Sequence, residues 1–283
     1  MVVNIENTQK LLAMSVGDLR EYFLVTDHPV PDTLLEALEN DPRRGARQLA
    51  ALINKRRVKN RREGQRLHHL LRYELELWDE GIQLIAGVDE AGMAPLAGPV
   101  VAAAVILRQG YKLQGLDDSK KVLDETRRKE LAVQIKLNAV CWSVGQTDVE
   151  EIDSLNIYHA GLLAMRRAVD GLTVKPDYVL VDARTIPQCP HPQKGIVHGD
   201  ALSASIAAAS IIAKTTRDAQ MVELDRLYAG YGFASHKGYP TAQHLQVLKE
   251  RGVLPIHRRS FAPVRAALGL DPVQGELFTN FES

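Results

Sequence analysis

Three places in the chain set acidic side chains where a plain fold has no need of them. Asp89 and Glu90 close the apolar run Leu84-Ile-Ala-Gly-Val, just ahead of a glycine-containing loop. Asp182 closes a second apolar run, Tyr178-Val-Leu-Val, and Asp218 stands one helical turn beyond Lys214, after an Ala- and Ile-rich stretch. Any one of these acids alone is an ordinary turn cap or water-facing group. As a set they point further, because ligands of α/β sheets gather at strand ends. Carboxylates crowded into one cleft repel one another and take up protons unless a cation holds them. Oxygen-only ligands suit Mg²⁺ or Mn²⁺, and two such ions about 3.5–4 Å apart form a clamp that hydrolyses phosphodiesters. Neighbouring residues of a strand point to opposite faces, so Asp89 and Glu90 cannot both address one site from regular β geometry. The strand is therefore expected to end or twist at Glu90, which Ala91-Gly92 permits.

The elements that must position these acids read as an alternation of strands and helices, hence an α/β core. Strands are expected at Leu84–Glu90, Val100–Leu107, Trp142–Thr147 and Tyr178–Asp182, with a fifth at Ile196-Val-His. Helical periodicity covers Asp153 to Asp170, Ala201 to about Tyr228, and Ala242 to Arg251. The first half of the long helix, SASIAAASIIAK, is apolar all round and so is expected to be buried. Residues 1 to about 80 read as helical, with Ala46, Leu49, Ile53, Leu67, Leu70 and Leu71 at core spacing.

Composition excludes several classes. The chain has 283 residues, 45% of them apolar and 25% charged, an ordinary globular mixture. Its longest wholly apolar run, Val100 to Leu107, has eight residues against the roughly 18 of a membrane span. The start, MVVNIENTQK, lacks the basic-then-apolar layout of a signal peptide, so a cytoplasmic location is expected. Two isolated cysteines rule out a disulfide framework. The formal net charge of zero conceals separated blocks: residues 1–42 carry −6, residues 43–72 carry +10, and residues 73–80 carry −4. A local basic excess of this size points to contact with nucleic acid.

Six blocks in order, GVDEAGMAPLAGPVVAAAVIL (87–107), DDSKK (117–121), VLVD (179–182), SASIAAASIIAKTTRD (203–218), GYGFASHKGYPT (230–241) and PIHRRSFAPV (255–264), resemble the type 2 ribonucleases H, and specifically the bacterial ribonucleases HII. The resemblance implies a ribonuclease H-like mixed sheet flanked by helices, in a catalytic domain at 81–265. A helical extension at 1–80 would precede it and a flexible tail at 266–283 would follow. It implies hydrolysis of the RNA strand of RNA–DNA hybrids and incision at ribonucleotides embedded in DNA, leaving a 3′-hydroxyl and a 5′-phosphate. The family's four metal-binding, catalytic carboxylates fall on Asp89, Glu90, Asp182 and Asp218, with two Mg²⁺ or Mn²⁺ ions expected. Lys120 and Lys121 resemble its phosphate contacts, and Tyr239 resembles the tyrosine that packs on the sugar next to the ribonucleotide. His236, Lys237, His257, Arg258 and Arg259 are expected to support the core or bind backbone, and not to catalyse.

One departure stands out. The loop whose backbone reads the ribose 2′-hydroxyl in this family is Gly-Arg-Gly, and here it is Gly92-Met93-Ala94. Met supplies no donor in place of the arginine, and Ala costs about 1–2 kcal/mol if its position needs a positive φ. The alternative expectation is therefore a hybrid-binding protein with impaired cleavage or a relaxed ribose requirement. The tail segment Gln274-Gly-Glu-Leu-Phe278 is similar to the short peptide by which repair enzymes dock on the sliding clamp.

Overall fold

The computed structural model describes residues 10–26, 28–111, 113, 115, 116 and 124–270. Lys120, Lys121 and the segment 274–278 lie outside the described residues. Two compact units divide between Arg66 and Leu67.

In the first unit, α1 (Val16–Arg20), a π-helical turn (Glu21–Val25), α2 (Asp32–Glu39) and the long α3 (Arg44–Leu70) are the helices. Leu19, Phe23, Leu34, Leu38, Leu49 and Ile53 form their core, so the helical spacing read from the sequence is the buried spacing. The fold uses part of the basic block internally. Arg43 pairs with Asp41 at 2.7 Å, Arg47 donates to the carbonyls of Asp41 and Pro42, and Arg66 pairs with Glu63 at 2.8 Å. Arg56 donates to the carbonyls of Phe23 and Leu24, and Arg57 to the Val30 carbonyl and the Asp32 carboxylate. Arg44, Lys55, Lys59, Arg61 and Arg62 are exposed. All but Arg61 recur on one stripe of α3, since spacings of 11, 4 and 3 residues return to the same helical face.

The second unit contains α4 (Arg72–Asp79), β1 (Ile85–Ala91), β2 (Val100–Ile106), α5 (Glu125–Asn138), β3 (Cys141–Thr147), α6 (Val149–Leu155), α7 (Ile157–Asp170), β4 (Tyr178–Asp182), β5 (Gln193–Ile196), α8 (Ala204–Leu227), α9 (Phe233–His236), α10 (Ala242–Arg251) and α11 (Ala262–Ala267). Its five-stranded sheet has the order β3-β2-β1-β4-β5. β1 pairs antiparallel with β2 and parallel with β4, so the sheet is mixed. Ile85, Ala103, Val105 and Leu180 pack under the Ala/Ile half of α8. Ala86, Val88, Val179 and Val181 face α7 on the other side.

The placement of α8 is set at Gly87. A Cβ there would lie 2.0 Å from the carbonyl carbon of Ser205, so the helix backbone rests directly on the strand backbone. The helix start is fixed by Glu74, a buried carboxylate of α4. It accepts from the hydroxyls of Ser203 and Ser205 at 2.6 and 2.5 Å and from the Ser205 amide at 2.9 Å. An acid at this place satisfies free amides and suits the positive end of the helix dipole.

Several boundaries differ from the expectations, each for a local reason. The 153–170 helix is two helices, broken at Asn156, whose φ of 68° leaves the helical region while its side chain caps the amides of Tyr158 and His159. The fifth strand is Gln193–Ile196, not 196–198, because His198 turns left-handed at φ 56°. The long helix starts at Ala204, after a 3₁₀ turn at Gly199–Ala201. β1 does not end at Glu90: its ladder with β2 runs on through Glu90↔Ala102 to Ala91↔Val101.

Gly87→Ala is expected to cost about 3 kcal/mol or more, since the added methyl meets backbone and not a movable side chain. Gly64→Ala, mid-helix with nothing within 4 Å, should instead stabilise by roughly 0.8–1 kcal/mol. Thermal melts of both variants check this, and equal melting points would refute the close-approach argument.

Candidate active site

The carboxylates lie where β1 and β4 end side by side. Their ladder closes at Val88↔Val181, which leaves Asp89 beside Asp182, the next residue of each strand. Parallel register partners share a face, so both side chains lie on the α8 face. Asp182 accepts the amide of Gly199 at 2.7 Å, which fixes it at the sheet edge of the site. Asp89 is only 4% exposed and accepts the amide of Glu90 at 2.7 Å and a bond from the Ser210 hydroxyl. Burial first, then repulsion by Glu90 and Asp182, hold its pKa well above the usual carboxylate range.

Strand alternation sends Glu90 to the α7 side, where Arg184 pairs with it at 3.3 Å. Both acids nevertheless line one cleft of about 250 Å³, together with Gly92, Met93, Ser210, Lys214 and Tyr239. The cleft opens over the strand ends, so the two faces of the sheet meet there. The difficulty posed by adjacent acids is met by position, not by a break in the strand.

From α8, Ser210, Lys214 and Asp218 recur every four residues and so share the face turned to the site. Lys214 pairs with the buried Asp218 at 2.6 Å and lies 5.9 Å from the centroid of the Tyr239 ring. A larger cleft of about 400 Å³, bounded by Gly98, Pro99, Val149, Leu224 and Ile256 with the acids Asp148 and Glu223, contains none of Asp89, Glu90, Asp182 and Asp218.

The Gly92-Met93-Ala94 loop is held by two buried arginines. Arg258 donates to the carbonyls of Gly92 (2.6 Å), Met93 (3.0 Å) and Gly98 (3.0 Å), and Arg217 to those of Ala97, Pro99 and Lys237, each at 3.0 Å. Burial lowers their pKa to about 9 and about 10, and Arg217 adds repulsion at Arg258. Gly92 requires its glycine: φ is 97° and a Cβ would meet Arg217 Nε at 2.2 Å. Ala94 is not among the positive-φ residues, so the exchange of glycine for alanine there carries no backbone strain.

Tyr239 is tethered by three buried histidines. The Leu254 amide donates to His257 Nδ1 at 2.9 Å, so His257 Nε2 carries the proton and donates to His244 Nε2 at 3.1 Å. His244 Nδ1 then donates to the Tyr239 carbonyl at 2.9 Å. His236 accepts the Gly238 amide and stacks on His244 with centroids 4.3 Å apart. Burial lowers the pKa of His257 to about 4 and that of His244 below its ordinary value, which keeps the chain neutral.

No three described His, Cys, Asp or Glu side chains stand ready-made to hold a metal ion, and Arg184 and Lys214 hold two of the acids. The oxygen donors gathered here, Asp89 and Glu90 in the cleft with Asp182 at the neighbouring strand end and the Ser210 hydroxyl, still suit a hard divalent cation, and no thiolate or imidazole lines the cleft. The repulsion on buried Asp89 is the charge excess such a cation relieves. Of the groups at the site, Arg184 carries no signal in the sequence, and Ser210 is one of three serines in the 203–218 block with nothing to single it out. Arg217 lies inside one of the six blocks without standing out from it.

The mixed sheet flanked by helices is shared with solved ribonucleases H. A ribonuclease H2 from Pyrococcus horikoshii superposes with a TM-score of 0.56 and 26% identity, over 65% of this chain and 96% of its own. Ribonuclease HII from Archaeoglobus fulgidus, solved as a complex with PCNA, gives a TM-score of 0.50 and 25% identity over 62% of this chain and 91% of its own. The Ribonuclease HII profile matches residues 86–264 and the Ribonuclease HII N-terminal domain profile residues 15–78. Ribonuclease HII of Myxococcus xanthus is 63% identical over 96% of this chain and 95% of its own, and that of Anaeromyxobacter sp. is 63% identical over 95% and 85%. The chain belongs to the ribonuclease HII family and is a ribonuclease H enzyme. Among the described residues no helix is long and apolar enough to cross a membrane.

The raised Asp89 carboxyl gives a signed expectation for the metal-free protein. A folded pKa above the unfolded one favours folding at low pH, and that advantage is lost as pH rises through the folded value. Asp89→Asn should therefore melt a few degrees higher than the parent at pH 8 in EDTA, with the difference closing on acidification. Mn²⁺ should raise the melting point of the parent and not of the variant. A variant that melts lower than its parent in EDTA at pH 8 would contradict this.

Proposed function

We propose that the protein hydrolyses the RNA strand of RNA–DNA hybrids and incises at ribonucleotides embedded in duplex DNA, leaving 3′-hydroxyl and 5′-phosphate ends with two Mg²⁺ or Mn²⁺ ions bound. The observation that carries this reading is the buried Asp89, hemmed in by Glu90 and Asp182 where β1 and β4 end under α8. Asp89, Glu90, Asp182 and Asp218 would hold the ions, which when bound supply a water of lowered pKa and a countercharge for the leaving 3′-oxygen. Ser210 orients Asp89, and Lys214 balances Asp218 until the site is filled. Arg258 fixes the carbonyls of Gly92 and Met93 and Arg217 those of Ala97 and Pro99 just beyond, leaving the loop amides to meet a ribose 2′-hydroxyl. Tyr239, 39% exposed at the cleft, would pack on the adjoining sugar. The ordinary backbone at Ala94 favours this reading over a binding protein with impaired cleavage. Docking on a sliding clamp through Gln274–Phe278 is carried forward on the tail motif, with support from the Archaeoglobus relative solved with PCNA.

Matched RNA–DNA, single-ribonucleotide and all-DNA duplexes, incubated with Mg²⁺ or Mn²⁺, test the reading. The first two should be cut, the third left whole, and Asp89→Asn should abolish cutting. A Met93→Arg, Ala94→Gly double variant should shift the ratio of single-ribonucleotide to hybrid cleavage. Cutting of the all-DNA duplex would show that the ribose requirement is lost, and no cutting of any duplex would defeat the enzyme reading.

The exposed stripe of α3 is the part of the basic block left to meet phosphates. Changing Arg44, Lys55, Lys59 and Arg62 together to Gln should flatten the dependence of log affinity on log salt by about 0.9 for each phosphate no longer neutralised, roughly 3–4 in all. Arg61→Gln, off the stripe, should change the slope by no more than the share of a single phosphate. Equal slopes for the parent and the fourfold variant would remove α3 from the binding surface.

A further inference from the structure

We infer that Arg184 is the guanidinium that binds a backbone phosphate of the substrate strand beside the Gly92–Ala94 loop, the place that Met93 leaves uncharged. The inference rests on the reading that a ribonucleotide-bearing strand lies along that loop. It begins with Ala183, which follows Asp182 at φ 50°. A left-handed conformation is unfavourable for a residue with a Cβ, and such strain gathers at functional sites. Strict alternation would return residue 184 to the Asp182 face. The kink sends it to the α7 side instead, where the Arg184 guanidinium lies 5.1 Å from the centroid of the Tyr158 ring and 3.3 Å from Glu90 Oε1.

Its Nη1 is buried and donates to no acceptor among the described residues. A Cβ on Gly161 would lie 2.9 Å from that Nη1 and 3.0 Å from Met93 Sδ, so the guanidinium and the thioether meet over this glycine. A buried donor without an acceptor is unfavourable, and arginine cannot shed its charge to relieve it. Glu90 lines the cleft, so engagement of Glu90 by a cation frees the second arm of the fork as well. The acceptor that suits a planar, two-armed donor at a nuclease cleft is a phosphate. Met93, unbranched and flexible, can swing aside to admit it. An arginine at 93 would crowd a second guanidinium against the first, so Met93 and Arg184 are two halves of one arrangement.

Affinity for a short RNA–DNA hybrid, measured by fluorescence anisotropy in EDTA, tests this in a Glu90→Ala background that releases Arg184 without metal. Adding Arg184→Met should weaken binding roughly 10–100-fold, the scale of a charge-assisted hydrogen bond. Adding Met93→Arg to that variant should restore most of the loss, while Met93→Arg alone should give no gain. In the otherwise native enzyme with Mn²⁺, Arg184→Met should raise KM by a similar factor with a smaller change in kcat, and Arg184→Lys should recover part of the defect. Unchanged affinity in EDTA, with only the Mn²⁺ concentration for half-activity displaced, would show that Arg184 serves Glu90 alone and would overturn the proposal. Additive effects at 93 and 184 would overturn it too. A native enzyme that binds hybrid and never cuts it would defeat the enzymatic reading, and the affinity comparison would still decide the role of Arg184.

Discussion

The structure hangs on the contact between two backbones at Gly87 and Ser205. A helix can rest this low on a sheet only where the strand offers no Cβ and the helix itself is built of Ala, Ser and Ile. Once α8 is seated there, with Glu74 holding its first turn, its axis is fixed relative to β1. Ser210 then reaches Asp89, and Lys214 and Asp218 follow along the same face. The residues that face the cleft from α8 are thus positioned by residues that never touch it.

The second organising force is charge. The site concentrates carboxylates that oppose one another, and cations meet them on both sides of the sheet: Arg184 at Glu90 and Lys214 at Asp218. The loop beside them shows the opposite arrangement. Arg217 and Arg258 are buried, and the hydrogen bonds they donate run to backbone carbonyl oxygens. Full charges facing fixed dipoles hold a loop more firmly than neutral hydrogen bonds would, so the two residues that differ from the family's loop can change while its path is kept.

Much of this was legible in the sequence, because the strongest signals came from burial. The eight-residue apolar run at β2 and the all-round apolar half of α8 read directly as a buried strand and a buried helix. What escaped reading depends on single backbone angles. Asn156, Ala183 and His198 leave the common regions of φ with no run of turn residues to announce them. One of the three splits a helix, another shortens a strand, and the third turns Arg184 to the far face of the sheet. Arg258 stood among the residues expected to support the core or bind backbone, whereas Arg217 escaped for another reason: on paper a buried arginine looks like a surface one, and only the carbonyls it meets tell the two apart.

The histidine chain has a consequence of a mechanical kind. Each imidazole in it has its proton assigned by the neighbour before, so the Leu254 amide settles, two rings away, which atom grips the Tyr239 carbonyl. Such a chain has no slack: it behaves as a strut between the segment after α10 and the turn that bears the tyrosine. The stretch from Leu254 to Arg258, distant in sequence from every acid of the site, is thereby the datum from which both Tyr239 and, through Arg258, the Gly92 loop are measured.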